Sequence, residues 1–258
     1  MEPERVIEQR LPVIARWMLF ALGTVEGKRI HRPLDPVAAW LLKHHPNLLP
    51  TIPQSALLTT IRARTDLVDR MILDEFDRAR QSGHRLVTWS LGGGFDARWA
   101  RLLGSHSDVL AQHREVESPA LLDLKSRLLQ DSPFVDAWES VIRVALPEER
   151  WAVERTPGLK PLVLFETGAG RLDDEKLRSV LYALRSDVPD ARIILGLPAI
   201  TDKEKRWTPR QIATLGWRVT DDLHLTNRGR LMSPHGGELC PGMYAFRLVR
   251  LVAREPLQ

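Results

Sequence analysis

Between Arg85 and Arg101 the chain reads RLVTWSLGGGFDARWAR: a short apolar run of strand-forming residues, then Gly92, Gly93 and Gly94, then a helix-compatible tail. Without a Cβ, glycine reaches positive φ and lets a ligand approach backbone N–H groups. A glycine turn between strand and helix therefore suits a nucleotide-like cofactor. The strict GxGxxG spacing fails from Gly92, because position 97 is Ala. About twenty residues beyond this turn, Glu117 ends a second predicted strand, where a carboxylate can accept hydrogen bonds from both hydroxyls of a ribose. Glu115 is the alternative acid for that role. Within the loop, Asp96 and Arg98 are placed to pair and fix its shape.

Other reactive constellations are missing from the sequence. The histidines form no HExxH or comparable metal spacing, and His44 and His45 are neighbours that a helix would point about 100° apart, a poor chelate. No nucleophile elbow or Walker A sequence occurs, so hydrolase and kinase readings lack their key turn. The expectation is that no metal is bound.

The elements that must position the glycine turn follow from periodicity. Leu67, Val68, Met71, Ile72 and Phe76 predict a helix over 65–80, packed beside the first strand. Further helices are predicted over 120–130, with Pro119 in the first turn, and over 173–186. Another starts at Thr208, with Pro209 in its first position, Gln211 completing a capping box and Gly216 closing it. Strands are predicted at 141–146, 162–166, 192–197, 217–220 and 244–252, which with the two flanking the glycine turn makes seven. The alternation implies an α/β fold, a Rossmann-like, seven-stranded, mostly parallel sheet with helices on both faces. Residues 1–60 lack the pattern and carry Pro33, Pro36, Pro46, Pro50 and Pro53 among short helical pieces. They are expected to form an N-terminal helical cap over the cofactor pocket, part of the same domain as the 61–258 core.

Bulk properties narrow the class. With 258 residues, 43% hydrophobic and 27% charged, the chain suits one soluble α/β domain. No apolar run reaches the eighteen or so residues of a membrane span. The single cysteine, Cys240, excludes an internal disulfide framework and fits a cytoplasmic location. A formal charge of +4 is spread without the basic block of a nucleic-acid footprint, so no nucleic-acid or membrane partner is expected.

Six segments, in this order and spacing, resemble class I S-adenosylmethionine-dependent methyltransferases of the leucine carboxyl methyltransferase group, which includes many bacterial polyketide and other natural-product O-methyltransferases. They are LDPVAAWLL from Leu34, ARTDLVD from Ala63, SLGGGFDARWARL from Ser90, EVESPALLDLKSRLL from Glu115, LFETGAGRLDDEKL from Leu164 and LGWRV from Leu215. The resemblance spans roughly residues 33–252 and implies S-adenosylmethionine as cofactor. It implies that Arg64 faces the methionine carboxylate, that the Gly92–Gly94 backbone lines methionine and ribose, and that Glu117 holds the ribose. Asp96 and Arg98 match the loop pattern, and Glu166 stands at the end of the fourth strand facing cofactor and substrate.

Two departures stand out. The group's Glu-Gly followed by Tyr-Leu is replaced by Glu166, Thr167 and then Arg171, Leu172, and the third strand ends Ala145, Leu146, Pro147 where an acid normally addresses adenine.

The implied function is O-methylation of a small-molecule or carboxylate-bearing biosynthetic intermediate. A carboxylate acceptor needs positioning alone, whereas a phenol or enol benefits from a base, for which His31, His235 and His224 are candidates. Lys28, Arg29 and Arg32 in the cap, with Arg171, are candidates to attract an anionic acceptor; Trp17, Trp40 and Trp99 are candidates to wall an apolar one. The alternatives are a non-catalytic binding protein on a degenerate methyltransferase fold and a nicotinamide-dependent oxidoreductase. Oligomeric state is not legible in the sequence.

Overall fold

Asp35 caps the helix Pro36–His44. Its extended backbone turns the carboxylate onto the Val37 and Ala38 N–H groups at 2.9 and 3.0 Å, and Pro36 occupies the first turn. The computed structural model describes residues 23, 35–48, 55–102, 104–146, 153–166, 169, 172–198, 207–225, 231–232 and 246–254. Helix α1 is Pro36–His44, followed by a 3-10 turn at Pro46–Leu48. Helix α2 runs Ser55–Gln81, ten residues further toward the N-terminus than the periodicity predicts. Thr59 and Thr60 are poor helix formers that blur the apolar stripe there. This helix passes unbroken through residue 60, so the expected cap and core share an element.

Strand and helix then alternate: β1 Arg85–Leu91, α3 Arg98–Leu102, β2 Leu110–Glu117, α4 Pro119–Leu129, α5 Val135–Glu139, β3 Ile142–Ala145, β4 Leu159–Phe165, α6 Asp174–Asp187, β5 Arg192–Pro198, α7 Pro209–Thr214, β6 Trp217–Leu225, β7 Leu231–Met232 and β8 Phe246–Ala253. All seven predicted strands are present. The eighth, β7, is a two-residue pairing with His224 and Leu225 of β6, too short to leave a periodic signal. The order across the sheet is β3-β2-β1-β4-β5-β8-β6-β7.

Strands β1 to β5 pair in parallel, and β8 runs antiparallel to both neighbours, β5 and β6. The sheet is therefore mostly parallel, with one reversed strand inside it. From β1 the chain winds outward to β2 and β3, then returns to the other side of β1 for β4 and β5. The carboxyl ends of β1 and β4 thus flank a topological switch point, where a crevice forms.

Both faces are covered, which is why β1 is buried from Leu86 to Leu91. On one face, Trp89, Val163, Phe165, Ile193 and Leu195 pack against Leu177, Leu181 and Leu184 of α6 and Ile212 of α7. On the other, Leu162, Leu164, Ile194 and Leu248 meet Val68, Ile72 and Phe76 of α2. A third cluster joins Leu41 of α1, Trp99 of α3, Leu124 and Leu128 of α4 and Trp138 of α5. Trp99, 1% exposed with its ring 5.4 Å from that of Trp138, packs in this core. Trp40 stacks on His44 at 4.3 Å.

Candidate active site at the glycine loop

At the end of β1, Gly92 and Gly94 adopt φ of 61° and 62°, a left-handed conformation that side chains with a Cβ rarely tolerate. Gly93 differs: its φ is not left-handed, and a Cβ there would stand 2.5 Å from Ser90 Oγ, which would have to rotate away. The loop is anchored to the neighbouring strand. Gly92 N–H donates to Val116 C=O at 2.9 Å, and Gly94 N–H donates to Glu117 Oε2 at 3.2 Å. The other carboxylate oxygen of Glu117 accepts from Ser118 N–H at 2.9 Å, and the residue is wholly buried. Glycine turn and ribose-type acid, 23 residues apart in sequence, therefore touch.

Lys125 completes the anchoring. Its ammonium, 2% exposed, donates to Gly94 C=O at 2.8 Å and to Glu115 Oε1. Glu115 is thereby engaged in a buried ion pair through Oε1, whereas Glu117 makes the contact with the glycine turn. Burial pushes its carboxyl up to about 7, against the opposing pull of Lys125. Two residues earlier on the same face, His113 accepts or donates at Nδ1 to Thr88 Oγ1 at 2.7 Å, and burial holds its ring down to about 4, so it is neutral. Sequence reasoning missed Lys125. The signal was there: it sits four residues after Leu121 and three before Leu128, on the buried stripe of α4.

Beneath the loop lies a buried charge network. Arg98 donates to Asp96 through Nη1 and backbone N–H, to Asp69 through Nε at 2.5 Å, and pairs with Glu166 Oε2 at 2.8 Å. Arg64 Nε pairs with Glu166 Oε1 at 2.7 Å, and both side chains are about 4% exposed or less, which excludes a surface role for Arg64. Arg101 reaches Asp35 at 2.6 Å and Asp69 at 3.0 Å, tying the start of α1 to α2. Burial alone would raise the Asp96 carboxyl, but Arg98 and Arg101 overcome it and hold it below its usual value. Asp35 goes the other way: burial raises it, and Arg101 only partly offsets the rise. Arg98 Nη2 is buried without a hydrogen-bond partner among the described residues, a donor that a bound polar group would satisfy.

The structure thus brings together Arg64, Gly92, Gly93, Gly94, Asp96, Glu117 and Glu166. In register with Glu117 on the adjoining edge strand is Ala145, an exposed residue with no group for an adenine amine. His31, His235, Lys28, Arg29, Arg32, Trp17, Thr167, Arg171, Pro147 and Cys240 lie outside the described residues, as does the side chain of His224. His44 and His45 contact the backbone C=O groups of Trp40 and Leu128 at 2.9 and 3.3 Å. Among the described residues, no three His, Cys, Asp or Glu converge as a metal site, and no helix is long and apolar enough to cross a membrane.

No family model matches the chain, and no curated protein matches its sequence. Solved structures with a similar backbone include the glycopeptide N-methyltransferase MtfA, at 14% identity and a TM-score of 0.46, covering 85% of this chain and 98% of that one. The methyltransferase domain of bacterial CtHen1 is 15% identical, with a TM-score of 0.46 and coverage of 74% and 98%. The 16S rRNA (adenine(1408)-N(1))-methyltransferase from Catenulisporales acidiphilia is 19% identical, with a TM-score of 0.41 and coverage of 71% and 94%. The architecture described above rests on the chain's own strand order.

Proposed function

We propose that the chain is an S-adenosylmethionine-dependent methyltransferase acting on an oxygen of a small-molecule or carboxylate-bearing acceptor. The observation that carries this reading is the contact between Gly94, left-handed at the switch point, and the wholly buried carboxylate of Glu117. Sheet order supports one nucleoside rather than a dinucleotide. A dinucleotide fold continues past its fifth strand with another parallel strand, whereas here the antiparallel β8 lies beside β5. That weighs against the nicotinamide reading.

The residues present fit the cofactor: two left-handed glycines at the switch point, a buried acid at the ribose position and an unsatisfied guanidinium donor beneath. Glu117 would accept from the ribose hydroxyls while keeping Gly94 in place, and the Asp96–Arg98 pair holds the loop from below. Arg64 would read the methionine carboxylate bidentately, with Glu166 orienting its guanidinium. When bound, a sulfonium donor supplies an electrophilic methyl group whose leaving sulfur departs neutral. For a carboxylate acceptor the protein's contribution is alignment and exclusion of water. For a phenol, His31 or His235 would take the proton, and Arg29, Arg32 and Arg171 would draw in an anionic acceptor.

Incubating the full chain with tritiated S-adenosylmethionine and a panel of carboxylates and phenols tests the reading. Transfer of label to an acid- or phenol-type oxygen, and none to an amine panel, is the expected result. Ala145 opposite Glu117 favours one second reading, a non-catalytic protein that kept the fold; binding of neither donor nor product at about millimolar concentration would select it.

A further inference from the structure

The opposite end of the sheet carries a second charged site unrelated to the glycine loop. Lys160 and Arg192 sit at the first turns of β4 and β5, Arg218 near the start of β6 and Arg78 in the last turns of α2. They line two adjoining cavities of about 530 and 330 Å³, which share Arg78, Asp190 and Arg192.

Carboxylates hold these cations from underneath. Glu75, only 2% exposed, takes Arg78 at 2.5 Å and Arg192 at 3.3 Å, while the two arginines are 48% and 44% exposed. Arg250, itself buried, also reaches Glu75 at 3.1 Å, but Asp74 and Asp221 share it at 3.1 and 3.2 Å. Arg78 and Arg192 are therefore left with one shared negative charge between them. Lys160, 45% exposed, is held by Asp190 at 3.0 Å. Arg218 is exposed and has no ion-pair partner among the described residues. Glu75 is sequestered and Asp190, 29% exposed, lines both cavities, whose four cations Arg78, Lys160, Arg192 and Arg218 outnumber these two carboxylates. Two guanidiniums fixed on one carboxylate repel each other, and an anion bridging their outer edges relieves that repulsion.

We propose that this paired cavity is a binding site for a polyphosphate chain, free or attached to a nucleoside. Several anionic groups in series match cations spread over two joined cavities, and the tetrahedral phosphate oxygens can each engage a different guanidinium edge. The site lies seven residues of strand away from the glycine loop, about 20 Å at 3.3 Å per residue. It therefore serves as an anchoring or effector site, separate from methyl transfer, and it does not depend on the function proposed above.

Calorimetric titration of the full chain with inorganic tripolyphosphate tests it, with ATP and inorganic phosphate as parallel arms. Tripolyphosphate carries no nucleoside, so the glycine loop cannot account for its binding. The expected result is one site per chain for tripolyphosphate and at least tenfold weaker binding of monophosphate, about the loss of one or two charge-assisted contacts. ATP binding tighter than tripolyphosphate, with the difference kept in the Glu117→Ala variant, assigns the natural ligand as a nucleotide; equal affinity assigns a free chain. The double variant Arg78→Gln/Arg192→Gln should weaken tripolyphosphate about tenfold or more. The exposed variants Lys160→Met and Arg218→Gln, which leave Glu75 and its partners untouched, should each weaken it about threefold. Arg127→Gln, on the distant α4, should change nothing. No binding at about 5 mM tripolyphosphate in low salt would overturn the proposal. So would equal weakening by Arg127→Gln, or a 12-nucleotide RNA binding tighter than tripolyphosphate.

Discussion

His113 and Glu115 stand two residues apart on β2, both buried, and burial drives their titrations in opposite directions. The unfolded chain takes a proton on His113 below pH 6.5, while the folded ring resists it down to about 4; this contribution to stability is lost as pH falls through that window. Glu115 keeps its proton in the folded state up to about 7, whereas the unfolded side chain loses it above 4.5; this contribution is lost as pH rises. Between pH 4.5 and 6.5 the two slopes, each up to about 1.4 kcal/mol per pH unit, oppose each other. Relative to the parent, His113→Gln should lose stability with rising pH across that window, and Glu115→Gln should gain it. Urea unfolding at several pH values reads this directly; curves parallel to the parent's would contradict it.

Lys125→Met removes the counter-charge of Glu115 and the donor on Gly94 C=O, and should cost about 3–5 kcal/mol of stability, measured by the same unfolding curves. At this scale the sequence was readable where residue type alone restricts conformation: three glycines, and an acid at a strand end. It was not readable for Lys125, because a helical lysine ordinarily snorkels to water. Nor did it disclose that Glu166 bridges Arg64 and Arg98, since contacts between α2, α3 and β4 are set by tertiary packing.

Elements with local punctuation were legible. Thr208 accepts from Gln211 N–H at 3.2 Å and Gln211 Oε1 accepts from Thr208 N–H at 2.7 Å, the reciprocal cap implied by their spacing. Thr208→Ala should destabilise the fold by about 1 kcal/mol in chemical denaturation. The start of α2 at Ser55 was not legible, because the weak helix formers Thr59 and Thr60 interrupt its apolar stripe. The place of β8 between β5 and β6 also escaped, since a strand's own residues do not specify its partners. Just past the last β4–β5 pairing, of Phe165 with Leu195, Gly196 allows the close approach: a Cβ there would lie 2.6 Å from Glu166 C=O. Gly196→Ala should cost about 1–3 kcal/mol through overpacking, and it should shift the Glu166 carboxylate from its arginines. Melting temperature reports the first effect, and weakened binding of the cofactor product reports the second.

Among the described residues, one mostly parallel sheet presents two chemically different ends. At the carboxyl ends of β1 and β2, side-chain-free backbone meets a buried acid over an arginine–carboxylate network; at the amino ends of β4 and β5, exposed cations gather around a buried Glu75 and a partly exposed Asp190. A ligand of the first end stabilises the folded state by mass action, about 2.7 kcal/mol at a hundredfold excess over its Kd. For a domain of this size that raises the melting temperature by roughly 5–10 °C. The most direct test is calorimetric titration of S-adenosylhomocysteine into the parent chain and into Glu117→Ala and Gly94→Ala. One site on the parent, weakened about 10- to 100-fold by Glu117→Ala through lost charged hydrogen bonds and abolished by Gly94→Ala, is the predicted result. Absence of binding to the parent, or equal affinity in all three proteins, would contradict the assignment of the cofactor to this loop.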